Sequence, residues 1–250
     1  TVKYPINTFQ NLMLSAFFRN SGRPRSRSLP LSEKTYVWDI FIRIFHWGLV
    51  VSLVGAWVSV EQGWMDWHQT FGLSVLGLLI FRVIWGLVGP AYARFGHFLR
   101  SPGVTMRYVK ALLSGREPHY LSHNPLGALA VIGLLGLVGF QVFSGLFATD
   151  DILFEGPLFA WVSYDTSLLL TELHEISFNI LLGIVVLHIL AVLFHQFVKK
   201  EGLIQGMVSG SKRSGQYADG PVNKKARAPL WAGLLSVALA AGAVALLLSL

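Results

Sequence analysis

The chain contains no cysteine. That excludes disulfides, thiolate-bound metals, iron–sulfur clusters and the covalent C-x-x-C-H attachment of c-type haem. Charge is scarce as well. Asp, Glu, Lys and Arg make up 13% of the 250 residues, against about 25% in a soluble domain. Two stretches, 61–66 and 149–170, hold no lysine or arginine at all. No basic helix with interleaved aromatics occurs, so the net charge of +7 is not the footprint of a nucleic-acid binder.

What is abundant is hydrocarbon: 53% of the residues are hydrophobic, and long apolar runs recur. Such runs mark transmembrane helices. We read four strong spans, at 37–60, 67–89, 125–148 and 171–198, and a fifth, rich in small residues, at 230–250. At ~1.5 Å rise per residue each crosses a ~30 Å hydrocarbon layer. The expected fold class is all-α, a transmembrane four-helix bundle with an additional C-terminal transmembrane helix. The chain divides into a basic arm (1–36), the bundle (37–200), a flexible Gly-, Ser- and Lys-rich linker (201–229) and the fifth helix (230–250). Residues 1–30 do not read as a signal peptide, and 7–18 is either an interfacial helix or a disordered arm.

The cations assign the sides. Of the 20 lysines and arginines, all but Arg43 and Arg82 fall in 1–39, 90–124 or 199–228, and the opposite loops carry only acids. The positive-inside rule then puts the N-terminus in the cytoplasm and the C-terminus outside, as expected for a multi-pass protein of a bacterial inner membrane.

Four histidines lie inside spans. His174 and His188 share the fourth span; fourteen residues are ~21 Å of helix and bring the two rings back to nearly one face. His46 in the first span matches the depth of His188, toward the inner side. His68 in the second matches His174, toward the outer side. Two opposed imidazoles at one depth make a bis-histidine haem site, and the iron bond compensates for burying them. Gly48, Gly72, Gly145 and Gly183 offer a flat macrocycle close approach to backbone. Two other readings stay open. The histidines are helix–helix hydrogen-bond partners, or they bind zinc or copper. A mononuclear metal site, however, gathers its ligands at one level.

His97, His119 and His123 fall in the loop after the second span and read as solvated. His195 lies at the cytoplasmic rim, as an interfacial histidine or part of a quinone or propionate site. Arg43 and Arg82 are the only cations within spans. An intramembrane arginine flags function, and a guanidinium forks onto a haem propionate; snorkelling to lipid phosphate is the other reading.

The segments VWDIFIRIFHW, WHQTFGLSVLGLLIFRVIWGLVGP, ARFGHFLRSP, SHNPLGAL and LHEISFNILLGIVVLHILAVLFHQF resemble the prokaryotic cytochrome b561 family, also called the nickel-hydrogenase b-type cytochrome family. The resemblance covers about 36–200. It implies four transmembrane helices holding two b haems, with His46 and His188 as axial ligands of the inner haem and His68 and His174 of the outer. It also implies electron transfer between the membrane quinone pool and a partner. The chain departs from compact members by its basic arm, its long loop at 91–124 and its fifth span.

The resulting expectation is a di-haem cytochrome b linking quinone to a periplasmic redox partner such as a c-type cytochrome, whose basic face suits the acidic outer loops. Glu172, Glu175 and His195 are candidate proton acceptors for a quinol. Three alternatives remain: the membrane anchor of a hydrogenase or other periplasmic dehydrogenase, a superoxide:quinone oxidoreductase, and a non-redox structural subunit. The acidic outer loops disfavour superoxide, which needs a cationic funnel. The fifth helix, with Ala240, Ala241, Gly242 and Ala243 in sequence, offers a packing surface for a partner helix.

Overall fold

A computed structural model describes residues 34–213, 217–220 and 229–250. The segment 7–18, read as an interfacial helix or a disordered arm, lies outside the described residues. Among the described residues, five helices are long and apolar enough to cross a membrane: α1 (Ile40–Glu61), α2 (Met65–Val88), α5 (Pro125–Gly145), α6 (Tyr164–Leu193, continued by a π-helical turn Phe194–Val198) and α8 (Leu230–Leu247). Short helices α3 (Phe95–Phe98), α4 (Pro102–Leu113) and α7 (Leu203–Ser209) and strands β1 (Lys34–Tyr36) and β2 (Ser211–Arg213) fill the basic end.

The caps fix where spans begin. Asp39 Oδ1 accepts from Phe41 N (2.8 Å) and Ile42 N (3.1 Å), while its Oδ2 accepts from Trp85 Nε1 of α2 (3.2 Å). One carboxylate thus starts α1 and ties it to α2. Asn124 caps α5 through Gly127 N (2.8 Å), with Pro125 at the first helical position. Ser163 caps α6, so the fourth span starts seven residues before the expected 171. Its polar first turns, with Asp165 favoured at the positive end of the helix dipole, extend past the hydrocarbon layer.

Helix α2 is the hub. It packs on α1, α5 and α8, while α5 packs on α6. A third of its apolar window (33%) is buried, against 11–17% in the other four spans, whose remaining faces carry the exposed leucines, valines and isoleucines expected of a lipid-facing surface. Val75 and Leu79 of α2, Val138 of α5 and Leu181 of α6 form the mid-bundle core. Trp38, Ile42, Phe45, Phe81, Trp85 and Ala240 belong to a second core toward the basic end.

Two regions are tied to the bundle in ways that composition does not reveal. The linker at 201–229 is not simply flexible: α7 and β2 lie within it, and β2 pairs antiparallel with β1, Tyr36 opposite Ser211. Gly210, at φ 83°, ends α7 and turns the chain into β2; its carbonyl accepts from Val37 N (2.8 Å) and Trp38 N (3.1 Å). Composition pointed to a linker because this pairing spans nearly the whole bundle in sequence. The fifth helix, in turn, spends its small-residue face inside the chain. Gly233, Ser236 and Ala240 are buried against the bundle, whereas Gly242 has no neighbouring side chain.

A Cβ on Gly233 would sit 2.1 Å from Cζ of Phe41. Gly233→Leu is therefore expected to cost about 1–3 kcal/mol through overpacking. The measurement is the thermal midpoint in detergent, which falls in G233L and recovers in part when Phe41→Ala is added.

Candidate functional site

At the acidic end, His68 of α2 faces His174 of α6. Their ring centres are 6.1 Å apart and their planes nearly perpendicular, at 79°. A metal–imidazole bond is ~2 Å long, so two rings on opposite sides of one metal ion have centres roughly 6 Å apart. Each ring is tied by its other nitrogen. His68 Nδ1 lies 2.9 Å from the Ala56 carbonyl, and His174 Nδ1 lies 2.9 Å from the Gln141 carbonyl. A carbonyl only accepts, so Nδ1 carries the hydrogen in both rings, and Nε2 keeps a lone pair for a metal.

The surroundings of His174 reinforce this. Ser144 Oγ sits 3.1 Å from Nδ1 and donates its own hydrogen to Phe140 O (2.9 Å). Ser177 Oγ donates to Gln141 Oε1, which fixes the Gln141 side chain. Gly145 is required: a Cβ there would lie 2.9 Å from Cε1 of His174. Gly72 and Gly183 have open space where a side chain would stand, and Gly48 has Leu78 at 3.5 Å. Gln141, Ser144 and Ser177 escaped the sequence reading. Their signal was present, as polar residues at helical spacing in otherwise apolar spans.

At the basic end, His46 of α1 and His188 of α6 lie within electrostatic reach of each other, and His46 Nδ1 is enclosed without a hydrogen-bond partner. Arg82 is 4% exposed, which argues against snorkelling; its guanidinium lies 4.5 Å over the Phe95 ring, and Nη1 has no partner. Arg43 differs: its Nη1 donates to Val208 O of α7 (2.6 Å). Among the described residues, no group of three or more His, Cys, Asp or Glu gathers as a metal site.

The loop histidines are not uniformly solvated. His123 is held between Trp38 (4.8 Å) and Phe98 (4.7 Å). Burial, then repulsion from Arg82, Lys212 and His188, pushes its pKa down to about 3, so it stays uncharged at neutral pH. His97 stacks edge-on against Tyr92, and burial lowers its pKa too. His119, still largely exposed, and His195 both bond Glu201, at 2.9 and 3.1 Å. Burial pushes the Glu201 carboxyl up, but the hydrogen bonds from His195 and His119 outweigh it and hold it below its ordinary value. Lys199 pairs with Glu117 beside this group. Glu172 and Glu175 are exposed on α6.

A family profile described as prokaryotic cytochrome b561 matches residues 37–210. The chain belongs to that family. It is a membrane b-type cytochrome, a multi-pass electron-transport protein whose cofactor is haem b. The cytochrome is 24% identical over 217 residues to a probable Ni/Fe-hydrogenase B-type cytochrome subunit of Rhizobium leguminosarum bv. viciae, covering 72% of this chain and 89% of that one. No solved structure matches it. The match extends past 200 to 210, taking in α7 and stopping just short of β2, while β1 lies just before its start.

A carboxyl held below its ordinary value stabilises the fold above its unfolded pKa, and that contribution is lost as pH falls through the folded one. Glu201→Gln is therefore expected to destabilise the cytochrome by about 2 kcal/mol at pH 7. It should also flatten the loss of stability below pH 4.5, to which Glu117 and Asp150 still contribute with the same sign. Thermal melts across pH, with hydrogen exchange read at 115–124, check both.

Proposed function

We propose that this cytochrome holds two b haems, one between His68 and His174 and one between His46 and His188. It passes electrons between quinone in the bilayer and a redox partner in the periplasm, such as a c-type cytochrome. The observation that carries this reading is the His68–His174 pair, spaced for one metal ion with both Nδ1 atoms committed to carbonyls. Bound haem supplies reversible one-electron chemistry; the chain supplies ligation, a low dielectric and a fixed separation between the two sites.

In this reading the basic end faces the cytoplasm and the acidic end the periplasm, which puts the N-terminus inside and the C-terminus outside. The acidic end suits a basic partner. A cleft of about 590 Å³ opens there, lined by Trp64, Asp66, Trp67, Asp150, Leu153 and Phe154 among others. Leu153 is 93% exposed and Trp67 59%. Apolar anchors ringed by carboxylates, next in sequence to His68, fit a docking face with steering charge. The same carboxylates repel superoxide. His195, backed by Glu201, is the candidate proton acceptor for quinol at the basic end, with exposed Glu172 and Glu175 as candidates at the other. A second reading, the membrane anchor of a hydrogenase or other periplasmic dehydrogenase, is favoured by what the Rhizobium relative is called. The scaffold is the same, and co-purification separates the two: nickel and iron–sulfur clusters would accompany a hydrogenase.

Pyridine haemochrome analysis is expected to give two haems per chain, with one lost in His68→Leu and the other in His46→Leu. A count well below two in the unaltered protein overturns the assignment. In stopped flow, Asp66→Asn with Asp150→Asn is expected to slow reduction of a lysine-rich c-type cytochrome several-fold at low salt, with the difference vanishing at ~1 M salt.

A further inference from the structure

Among the described residues, the polar side-chain atoms enclosed without a hydrogen-bond partner are Arg43 Nε, His46 Nδ1, Arg82 Nη1, His97 Nε2, Glu117 Oε2 and His123 Nδ1. All belong to the basic half of the bundle. At the acidic end, both histidine Nδ1 atoms are satisfied by the chain itself. Buried polar groups are normally paired, so a cluster of orphans calls for a partner that is not part of the polypeptide.

Two of these atoms belong together. The Arg82 guanidinium rests on Phe95, Phe95 packs on Phe98 (5.9 Å), and Phe98 packs on His123 (4.7 Å). His123 senses the charges of Arg82, Lys212 and His188. Arg82, His123, Lys212 and the basic-end histidine pair therefore share one neighbourhood, built from α2, the segment before α5, β2 and α6.

That neighbourhood holds two buried cations without a direct ion pair. Arg82 and Lys212 are each 4% exposed, and no described carboxylate lies within ion-pair distance of either. Asp39 is in electrostatic reach of Arg82, but its oxygens already accept from Phe41 N, Ile42 N and Trp85 Nε1. Glu201 and Asp219 are in reach of Lys212, yet Glu201 is engaged by His119 and His195, and Asp219 by Leu121 N and Ser122. A water molecule would satisfy the hydrogen bonds but supply no direct ion pair. A planar anion satisfies both, and a carboxylate matches the guanidinium fork.

We propose that Arg82 and His123 clamp a carboxylate, and that this carboxylate is a propionate of the haem seated between His46 and His188. The proposal rests on the haem reading of that pair. Arg82 supplies charge and a donor through Nη1. His123 supplies a neutral N–H donor through Nδ1, pre-set by Trp38 and Phe98. Lys212 adds positive potential without direct contact. The loop at 91–124 thereby takes part in seating the cofactor.

The test uses the intact, haem-loaded cytochrome. Optical redox titration of the unaltered protein, His46→Leu, His123→Gln, Arg82→Gln and Arg82→Lys resolves the two haems, and resonance Raman reads the propionate bending band. His123→Gln and Arg82→Gln are expected to keep two haems and shift that band. They lower the midpoint of only the haem that His46→Leu removes, because the propionate charge is less well neutralised. At the unaltered midpoint, the reduced-to-oxidised ratio of that haem drops roughly tenfold in Arg82→Gln, and Arg82→Lys restores most of it. If Arg82→Gln does not accumulate, His123→Gln decides alone. Two haems with unchanged potentials and an unchanged band overturn the clamp and leave water or a lipid phosphate as its occupant. Failure of His46→Leu to remove a haem overturns the haem reading first and the clamp with it.

Discussion

The structure depends on how it makes buried imidazole tolerable. A histidine in hydrocarbon needs a partner at each ring nitrogen, and at the acidic end the chain provides one of the two. The carbonyls of Ala56 and Gln141 each hold an Nδ1, which fixes both the tautomer and the ring plane. What remains is a pair of Nε2 atoms free of the chain's own hydrogen bonds, available to a metal in the reading proposed above. Gly145 and the hydrogen-bonded group Gln141–Ser144–Ser177 follow from this constraint, because they give the His174 ring its room and its bond.

The two ends of the bundle solve the problem differently. At the acidic end the protein is self-sufficient in hydrogen bonds and open above, with an aromatic and carboxylate rim around a cleft. At the basic end it is closed above, by the paired strands, α7 and the Glu201 and Asp219 hydrogen bonds, yet incomplete within. One end opens outward. The other is sealed around polar atoms that the chain itself leaves unpaired.

Much of this could be read from the sequence, and the reasons are physical. Membrane spans announce themselves by length and hydropathy, so all five were found, and helical repeat placed the four intramembrane histidines at two levels. Features that arise from long-range pairing were not legible. Residues 211–213 are ordered as β2 because they meet β1 across the bundle, which local composition does not encode. His123 reads as a loop residue because nothing nearby in sequence announces Trp38 or Phe98 as its neighbours. The fifth helix was recognised as a packing helix, but its contact stripe is Gly233, Ser236 and Ala240 rather than the contiguous small residues, because a helix face follows i, i+3, i+7 spacing.

The hub position of α2 has a mechanical consequence. This one helix carries His68 and Trp67 near one end and Arg82 and Trp85 near the other, and it touches three neighbouring spans. A hydrogen-bonded helix of 24 residues does not twist independently at its two ends. Any torque applied to Trp67 from outside is therefore delivered, as rotation about a shared axle, to the arginine on the far side of the bilayer. The two ends of the bundle are geared to each other by one rigid shaft.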